Sequence, residues 1–280
     1  MAQGTPRKSI LITGCSSGIG YAAAQGLRGK GWRVFAACRK REDSVRLRGE
    51  GFEAPVLDYH DEASIQSTLD EVLGATGGTL DALFNNGAYA IPGAVEDLPT
   101  EALRDIFEAN FFGWHSLTRA VIPVMRAQGQ GRIVQCSSVL GFAAMPWRGA
   151  YNATKFALEG LTDTLRQEMQ DTKIHVILIE PGPITSEFRK NSIGHFERWI
   201  DWKSSARAEQ YERVLRQRLY SSVKKAPFEL GPEAVVARLM QALTAYRPKP
   251  RYYVTTPTHG VGLLRRVLST RALDRVLTRG

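Results

Sequence analysis

Three residues in the middle of the chain have the types and spacing that proton transfer to a carbonyl group requires. Tyr151 and Lys155 lie four residues apart, within a stretch from 150 to 170 whose apolar residues recur at helical spacing. That spacing places both side chains on one face of a helix. Ser138 ends an apolar run thirteen residues before Tyr151. The three residues therefore form a candidate catalytic set.

The chemistry of this set follows from the acidity of a phenol. A phenol has an ordinary pKa of about 10 and is a weak acid unless a cation stabilises its conjugate base. Lys155 supplies such a cation, so we expect Tyr151 to act as general acid in carbonyl reduction, or as base in alcohol oxidation. Ser138 is expected to hydrogen-bond to the carbonyl oxygen. The alternative is structural, with Ser138 only ending a strand.

A glycine-rich turn near the N-terminus has the pattern of a phosphate-binding loop. In SILITGCSSGIGYAAAQGL a short apolar strand is followed by Gly14, Gly18 and Gly20 and then by an alanine-rich helix. Glycines permit a tight turn and close backbone approach, and a helix N-terminus attracts phosphate. The segment therefore predicts a dinucleotide site, with a plain tight turn as the alternative.

The second apolar run, VFAACRK, ends in the bases Arg39 and Lys40. An NAD site usually has an acid at this strand end, bonded to the ribose hydroxyls, whereas a base accommodates the 2′-phosphate of NADP. Arg39 can form bidentate bonds to phosphate, and Lys40 adds a second charge. These residues predict NADP (NADPH) as cofactor. The alternative is that the bases only solvate the strand end.

Short β-rich runs alternate along the chain with longer helical stretches. This alternation predicts an α/β fold, a Rossmann-like doubly wound and mainly parallel sheet of seven strands with helices on both faces, at residues 9–13, 32–37, 54–58, 82–85, 132–137, 173–180 and 251–256. We expect one domain, residues 1–280. Residues 187–230 are predicted to form a helical lid near the carboxyl end of the sheet, where such folds bind ligands.

Composition and charge exclude several classes of protein. Residues 246–280 hold +7 of the net charge of +9, which argues against a nucleic-acid-binding face. Three cysteines without C-x-x-C spacing and five scattered histidines argue against a disulfide framework and against a metal site. The N-terminus has no apolar signal core, and no run reaches the roughly eighteen apolar residues of a membrane span. We therefore expect a cytoplasmic protein.

These motifs together resemble those of the short-chain dehydrogenase/reductase family. TGCSSGIG at 13–20 matches its cofactor loop, NNGA at 85–88 its N-N-A-G element, YNATK at 151–155 its Y-x-x-x-K motif, and PGPITSEF at 181–188 its proline-glycine element. The resemblance covers residues 8 to 190. It looks strongest to the hydroxysteroid and retinol dehydrogenases and to related bacterial NADP-dependent aldehyde reductases.

The resemblance implies roles for further residues. Asn110 would anchor a water in a proton relay, Lys155 would also hold the nicotinamide ribose, and Asp58 would contact the adenine. The remaining implied cofactor contacts, besides Tyr151 itself, are Gly14, Ser16, Ser17, Gly18, Ile19, Gly20, Asn86, Gly87, Pro181, Gly182, Ile184 and Ser186. The family also implies a homodimer or homotetramer, with contacts at residues 101–127 and 150–170.

The sequence departs from the family pattern at two positions. Gly87 and Ala88 invert the usual alanine-glycine order; if residue 88 needs a positive φ, its methyl group costs about 1 kcal/mol. Ser186 stands where a threonine is usual. The first departure predicts weaker cofactor binding than the family norm.

The expected function is reduction of aldehydes or ketones on apolar molecules of steroid, retinoid or long-chain type. Aromatic and apolar residues near the site either line a large pocket or pack the lid: Phe142, Met145, Trp147, Phe196, Trp199 and Trp202. The alternative function is a non-catalytic NADP(H)-binding regulatory or membrane-docking protein.

The C-terminal stretch 257–280 has leucines and valines at helical spacing with arginines between them. Such a basic amphipathic helix either packs on its own domain or a second subunit, or makes weak contact with an anionic membrane surface. We favour packing, because apolar stripes in enzymes usually contact protein.

Overall fold

The computed structural model describes residues 7–221 and 227–279. In this part of the chain six parallel strands form one sheet in the order β2-β1-β3-β4-β5-β6. The strands are β1 Ser9–Ile12, β2 Arg33–Ala36, β3 Ala82–Asn85, β4 Gly131–Cys136, β5 Ile174–Glu180 and β6 Arg251–Tyr253. β1 and β3 are buried along their whole length, as expected of strands covered on both faces.

The helices connect the strands in the order that the sequence predicts. They are α1 Gly18–Arg28, α2 Arg41–Gly49, α3 Glu62–Thr76, α4 Thr100–Phe107, α5 Gly113–Ala127, α6 Gly149–Glu168, α7 Phe188–Trp199, α8 Ala208–Gln210, α9 Gln217–Tyr220, α10 Glu233–Thr244, α11 Thr256–Val267 and α12 Thr270–Arg279. α1 packs against α10, and α3 packs against α5.

The chain reverses direction across the sheet between β1 and β3. It leaves β1 towards β2 at one edge and leaves β3 towards β4, on the opposite side. Right-handed connections then place α1 and α5 on opposite faces. A crevice forms at the carboxyl ends of strands at such a switch point, so the loops after β1 and β3 are positioned to bind a ligand.

The predicted seventh strand, residues 54–58, does not form a strand in the structure. The segment runs beside β2 and makes one isolated bridge, Cys38↔Val56, and a second bridge, Phe35↔Glu53, lies just before it. Pro55 has no N–H to donate, and proline interrupts a strand's hydrogen-bond ladder. The segment is otherwise joined to β2 and the residues after it by individual backbone hydrogen bonds, such as that from the Leu57 N–H to the Cys38 carbonyl at 3.0 Å.

A second apolar cluster lies apart from the main core around the sheet. It combines residues that follow β3 and β4, such as Ile91 and Phe142, with helical residues Phe196 and Tyr211. Tyr151 belongs to this cluster and is 9% exposed. The candidate proton donor is therefore surrounded on one side by apolar side chains.

The segment predicted as a lid is helical over residues 188–199 and 208–220, and residues 200–207 and 227–230 are not helical. It contains α7, then α8, which continues through the π-helical turn Tyr211–Arg216 into α9. Residues 222–226 of the predicted lid lie outside the described residues. Phe196 and Tyr211 bury the inner side of these helices in the second cluster. Whether the segment opens and closes stays a prediction.

The C-terminal stretch forms two helices rather than the single helix predicted. α11 ends at Val267 and α12 begins at Thr270. Leu273 and Leu277 pack on the second apolar cluster, whereas Val267 and Val276 are exposed. Some of the apolar residues of this stretch therefore contact the protein, and others lie on its surface. No helix in the described residues is long and apolar enough to cross a membrane.

The packing of α12 gives a stability prediction. Leu277→Ala should lower the free energy of unfolding by about 2 kcal/mol, because it removes buried methyl groups and leaves a cavity. Val276→Ala is the matched control, since this neighbour is 46% exposed, and should change stability by less than about 0.5 kcal/mol. Urea denaturation of both variants measures the difference. Equal losses would show that α12 does not dock through Leu277.

Candidate active site

The glycine loop connects the end of β1 to the start of α1. Gly14 and Gly18 have positive φ, 69° and 57°, which glycine adopts without steric cost. A Cβ on Gly20 would lie 2.3 Å from the Gly14 carbonyl oxygen. Ser17 precedes α1 without a side-chain capping bond, so the first N–H groups of the helix stay uncapped by it. This cradle fits the phosphates of a dinucleotide.

The loop after β3 is fastened to the glycine loop through Thr13. The Thr13 hydroxyl accepts hydrogen bonds from the backbone N–H of Asn86 at 2.8 Å and of Gly87 at 3.1 Å. The Asn86 amide donates back to the Thr13 carbonyl at 3.0 Å. Trp114 donates its indole N–H to the Gly87 carbonyl at 2.8 Å. The two loops therefore form one rigid edge of the cleft.

The inverted glycine-alanine pair causes no backbone strain. Ala88 does not have a positive φ, so the condition for the predicted cost of its methyl group is not met. A Cβ at Gly87 would make a tight contact, 3.2 Å from the Gly14 nitrogen. The glycine at 87 thus permits close contact between the two loops.

Arg39 and Lys40 are exposed between β2 and α2. In the described part of the chain neither has an ion pair with an acid within 4 Å. Burial lowers the pKa of His195, and Arg39 lowers it further, so the guanidinium lies near α7. Two unpaired bases at this strand end leave charge available for an anionic group.

Sequence reasoning missed two side chains that shape the cofactor loops. Arg46 on α2 donates to the Ser16 carbonyl at 2.7 Å. The Tyr59 hydroxyl donates to the Asn85 amide oxygen at 2.8 Å and lies 2.8 Å from the Thr13 hydroxyl oxygen. Neither residue belongs to a motif, and both act across at least 26 positions of sequence. Only the folded chain reveals them.

Asp58 lies at the rim of the cleft and is tied to a histidine. Its carboxylate accepts from the backbone N–H of His60 at 3.0 Å and lies 3.2 Å from Nδ1 of the same ring. The other ring nitrogen lies 3.5 Å from an Asp105 carboxylate oxygen. The carboxylate of Asp58 is 40% exposed, so it can still contact a ligand. Its predicted adenine contact is not tested by this geometry.

The proline-glycine segment links the candidate serine to the glycine loop. The Pro181 carbonyl accepts from the Val139 N–H at 2.8 Å and lies 3.5 Å from the Ser138 hydroxyl. A Cβ on Gly182 would lie 2.1 Å from the Thr255 hydroxyl oxygen. Further along the segment, Ile184 forms an isolated β-bridge with Leu230. Ser186 then approaches the glycine loop: a Cβ added to Gly18 would lie 3.2 Å from the Ser186 Cβ.

Ser138, Tyr151 and Lys155 converge at the carboxyl end of β4 and the start of α6. Ser138 accepts from the Leu140 N–H at 3.1 Å, and its hydroxyl lies 3.5 Å from the Pro181 carbonyl. Lys155 is 1% exposed and donates to the Cys136 carbonyl at 2.8 Å. Its ammonium lies over the Trp114 ring at 4.1 Å and the Tyr151 ring at 5.6 Å.

Burial controls the acidity of both ionisable groups. Burial raises the pKa of Tyr151, and the nearby Ser138 hydroxyl and the charge of Arg148 oppose the rise. Burial also lowers the pKa of Lys155 to about 8, opposed by Cys136 and Glu159. Tyr151 therefore carries its proton at neutral pH. That Lys155 activates Tyr151 stays a prediction; its ammonium lies 5.6 Å from the centre of the Tyr151 ring.

Asn110 lies in a π-helical turn, Glu108–Phe112, between α4 and α5. Its side chain is fully buried. The amide donates to the Tyr89 carbonyl at 2.8 Å, and its oxygen accepts from the Tyr89 N–H at 3.1 Å. A π-turn commonly marks a functional site. The side chain is thus held in place by Tyr89, and its role in a proton relay is not tested.

Predicted site residues lie at the carboxyl ends of neighbouring strands of the sheet. The catalytic set lies beside the ends of β4 and β5, and the glycine loop lies at the end of β1, with Ser186 between them. The described residues contain no group of three or more metal-ligating side chains arranged to hold a metal ion. Such an arrangement of dinucleotide cradle, serine, tyrosine and lysine can transfer a proton next to a bound nicotinamide.

Comparison with known proteins identifies the family. The family model described as short chain dehydrogenase matches residues 8–195. The chain is 39% identical over 271 residues to "Uncharacterized oxidoreductase YbbO" of Escherichia coli K12, covering 97% of this chain and 94% of that protein.

Two further relatives have functional names. The "NADPH-dependent 3-dehydrocapnine reductase" of Ornithobacterium rhinotracheale is 30% identical over 279 residues, covering 95% of this chain and 94% of that protein. Human "Retinol dehydrogenase 8" is 30% identical over 254 residues, covering 87% and 80% respectively. The chain therefore belongs to the short-chain dehydrogenase/reductase family and is an NAD(P)-dependent oxidoreductase.

Proposed function

We propose that this chain is an NADPH-dependent reductase of aldehydes or ketones on apolar molecules, reversible as an alcohol dehydrogenase. The observation that carries the proposal is the position of Tyr151 beside the buried Lys155, whose ammonium lies 5.6 Å from the Tyr151 ring, with Ser138 at the end of the neighbouring strand β4. A purely cofactor-binding protein needs the cradle but no proton donor. The complete set therefore favours turnover over a regulatory or membrane-docking role.

The residues fit a bound dinucleotide. Three features would hold the phosphates: the tight turn at Gly20, which has no room for a Cβ, the uncapped start of α1, and Ser186. Arg39 and Lys40, without acidic partners in the described chain, would hold a 2′-phosphate. The name of the capnine-type reductase supports NADPH as well. NADPH, when bound, supplies a hydride to the carbonyl carbon.

The protein's own residues provide the other half of the reaction. Ser138 orients the carbonyl oxygen by donating a hydrogen bond to it. Tyr151 holds its proton at neutral pH, because burial raises its pKa, and gives it to the oxygen as negative charge develops there. Lys155 keeps its ammonium close to the ring and stabilises the phenolate left behind. Asn110 holds the Tyr89 backbone and would anchor a water that restores the proton.

The surroundings of Tyr151 support an apolar substrate. Phe142 and Phe196 are buried in the same apolar cluster, and Met145, Trp147, Trp199 and Trp202 pack against it. The similarity to a retinol dehydrogenase agrees with such a substrate. The α7–α9 segment covers this cluster and is assigned the role of lid.

The test of the function is cofactor oxidation with a panel of carbonyl compounds. We expect NADPH consumption with decanal and other apolar aldehydes or ketones, and conversion of the aldehyde to the alcohol. Binding of NADPH without consumption across aldehydes, ketones and the reverse alcohol reaction would support the regulatory alternative instead.

The acidity of Lys155 predicts a pH dependence. Because its pKa is lowered to about 8, its ammonium is present below that pH and lost above it. We expect kcat/KM for carbonyl reduction to be constant near pH 7 and to fall tenfold per pH unit above about pH 8, since kcat/KM reports groups of the free enzyme. A profile that stays flat to pH 10 would show that reduction does not need the charged lysine.

The remaining parts of the proposal concern assembly and location. A groove of about 310 Å³ between α5 and α6 is lined by Phe111, His115, Ile122, Leu161 and Leu165 among others, and these helices support a homodimer or homotetramer. The three cysteines are free and buried, which agrees with a reducing, cytoplasmic location. Weak contact of the basic C-terminal helices with a membrane surface is the minor alternative.

A further inference from the structure

Tyr89 connects the loop after β3 to Asn110 through its backbone. It follows Ala88 directly in the chain and is 9% exposed. Its N–H donates to the Asn110 amide oxygen at 3.1 Å, and its carbonyl accepts from the Asn110 amide nitrogen at 2.8 Å. Because both ends of the amide are bonded to one residue, the position of the Tyr89 backbone sets the position of the Asn110 side chain.

From Asn110 the contacts continue to the start of α6. The Asn110 amide nitrogen lies 3.5 Å from the hydroxyl of Thr154, a residue that is fully buried. That hydroxyl donates to the Tyr151 carbonyl at 2.9 Å. Thr154 also precedes Lys155 directly in the chain. A displacement of Asn110 would therefore disturb the helical turn that carries the candidate proton donor.

The Tyr89 ring stacks on a histidine of the lid. Its centre lies 4.0 Å from the centre of the His195 ring on α7, and the two ring planes differ by 10°. Burial lowers the pKa of His195, opposed by Asp105 and assisted by Arg39 and Arg198, so the ring is neutral at pH 7. Stacked rings attract each other and restrict each other's position. The stack therefore joins α7 to the loop after β3.

The hydroxyl end of the Tyr89 ring is held by α4. It donates a hydrogen bond to the Asp105 carboxylate. Burial and this bond raise the pKa of Tyr89, so the phenol keeps the proton that it donates. The same carboxylate lies 3.5 Å from His60 Nε2, and His60 Nδ1 lies 3.2 Å from the Asp58 carboxylate. Tyr89 is thus fixed by α4 at its hydroxyl and by His195 across its ring face.

Anchoring of α7 is the rival explanation for the stack. The helix already has an anchor in Phe196, which is 1% exposed and belongs to the second apolar cluster. Ser192 is buried on the same helix. His195 itself is only half-buried and is not a member of that cluster. The stack therefore has its main effect on the loop that carries Tyr89, rather than on the docking of α7.

We propose that Tyr89 is a positioning residue for carbonyl reduction and that His195 holds it in place. With α7 stacked on Tyr89, the loop after β3 fixes Asn110. Through Thr154, Asn110 in turn fixes the turn of α6 that carries Tyr151. The inference rests on the proposed function, because it requires Tyr151 to give its proton to the substrate. It assigns to α7 a part in the reaction besides covering the apolar cluster.

The test measures kcat and KM of His195→Ala with the aldehyde that the wild type reduces fastest. We expect kcat to fall about tenfold, because a displacement of about 1 Å can cost up to roughly 100-fold in rate. KM and the NADPH dissociation constant should stay within about twofold, since the lost contact acts on the transition state. His195→Phe keeps a flat ring and should restore kcat to within about threefold of the wild type.

A second variant and a control assign the loss to the stack. Tyr89→Leu removes the other ring, and the double variant with His195→Ala should lose no more kcat than Tyr89→Leu alone, because residues that act through one contact are not additive. Asn191→Ala is the matched control, since Asn191 is exposed one turn before His195 on α7, and should leave kcat unchanged. Thermal unfolding verifies that each variant is folded at the assay temperature.

The solvent isotope effect separates positioning from packing. A misplaced proton donor slows proton transfer, so the ratio of kcat in H₂O to kcat in D₂O should rise in His195→Ala. His195→Phe should return this ratio to the wild-type value. A role in packing alone would lower the amount of folded enzyme and leave the ratio unchanged.

Several outcomes would overturn the inference. A kcat of His195→Ala within about twofold of the wild type, an unchanged isotope ratio, or no recovery in His195→Phe would each reject it and leave the proposed reductase standing. A rise of about tenfold in KM with unchanged kcat would assign His195 to covering the substrate instead. Turnover of no carbonyl compound by the wild type would reject the reductase and this inference together.

Discussion

Tyr151→Phe is expected to lower kcat for carbonyl reduction by at least about 100-fold while NADPH binding is unchanged. The substitution keeps the ring, which packs against Phe188 at 5.4 Å and lies 5.6 Å from the Lys155 ammonium. It removes only the hydroxyl that would protonate the developing alkoxide, and general acid catalysis contributes about 10² to 10⁴ in rate. Steady-state kinetics and a fluorescence titration with NADPH measure the two quantities.

The control for this variant is Tyr246→Phe, at a tyrosine that is 88% exposed and belongs to no part of the site. It should leave kcat and NADPH binding unchanged. Activity of Tyr151→Phe near that of the wild type would mean that another group, or water, donates the proton. A loss of NADPH binding would instead mean that the hydroxyl mainly supports the cofactor site.

The sequence predicted the parts of the fold that depend on local pattern. SILI of β1 and ALFN of β3 are short apolar runs followed by turn residues, and both are fully buried strands. The glycine loop was predictable because Gly14 and Gly18 need backbone angles that other residues avoid. In these segments the local preference and the tertiary packing agree.

Residues 54–58 and the C-terminal stretch show where local pattern fails. Val56 and Leu57 have strand-forming side chains, but Pro55 lacks the N–H that a ladder needs, and the segment keeps only isolated bridges. The leucines of residues 257–280 have helical spacing, yet the helix ends at Val267 and starts again at Thr270. The second helix is fixed by the docking of Leu277, which depends on a surface made by distant segments.

The site was predictable in its motifs but not in its supports. Motifs indicated Tyr151 and Lys155 because a fixed spacing on one helix brings side chains together, and Ser138 because it closes the preceding apolar strand. Contacts such as Arg46 to Ser16, or Tyr59 to Asn85, join segments with no shared pattern.

The cofactor preference gives the second large effect. Wild-type enzyme is expected to use NADPH in strong preference to NADH, because Arg39 and Lys40 are exposed and have no acidic partner in the described chain. Charge-assisted bonds to a 2′-phosphate contribute roughly 1.5 to 3 kcal/mol each. Arg39→Ala should therefore lower the NADPH-to-NADH ratio of kcat/KM by about 10- to 100-fold, mostly by weakening NADPH binding.

A variant at the neighbouring Arg41 distinguishes a direct bond to the 2′-phosphate from the general electrostatic field of the bases that follow β2. Arg41→Ala removes the same charge at the first residue of α2, also exposed, and should change the ratio by less than about threefold, because exposed charges are screened within about 10 Å at 0.1 M salt. The loss in Arg39→Ala should persist at high salt, since a bidentate contact is short-ranged. Equal use of NADH and NADPH by the wild type would show that the bases at the end of β2 only solvate the strand.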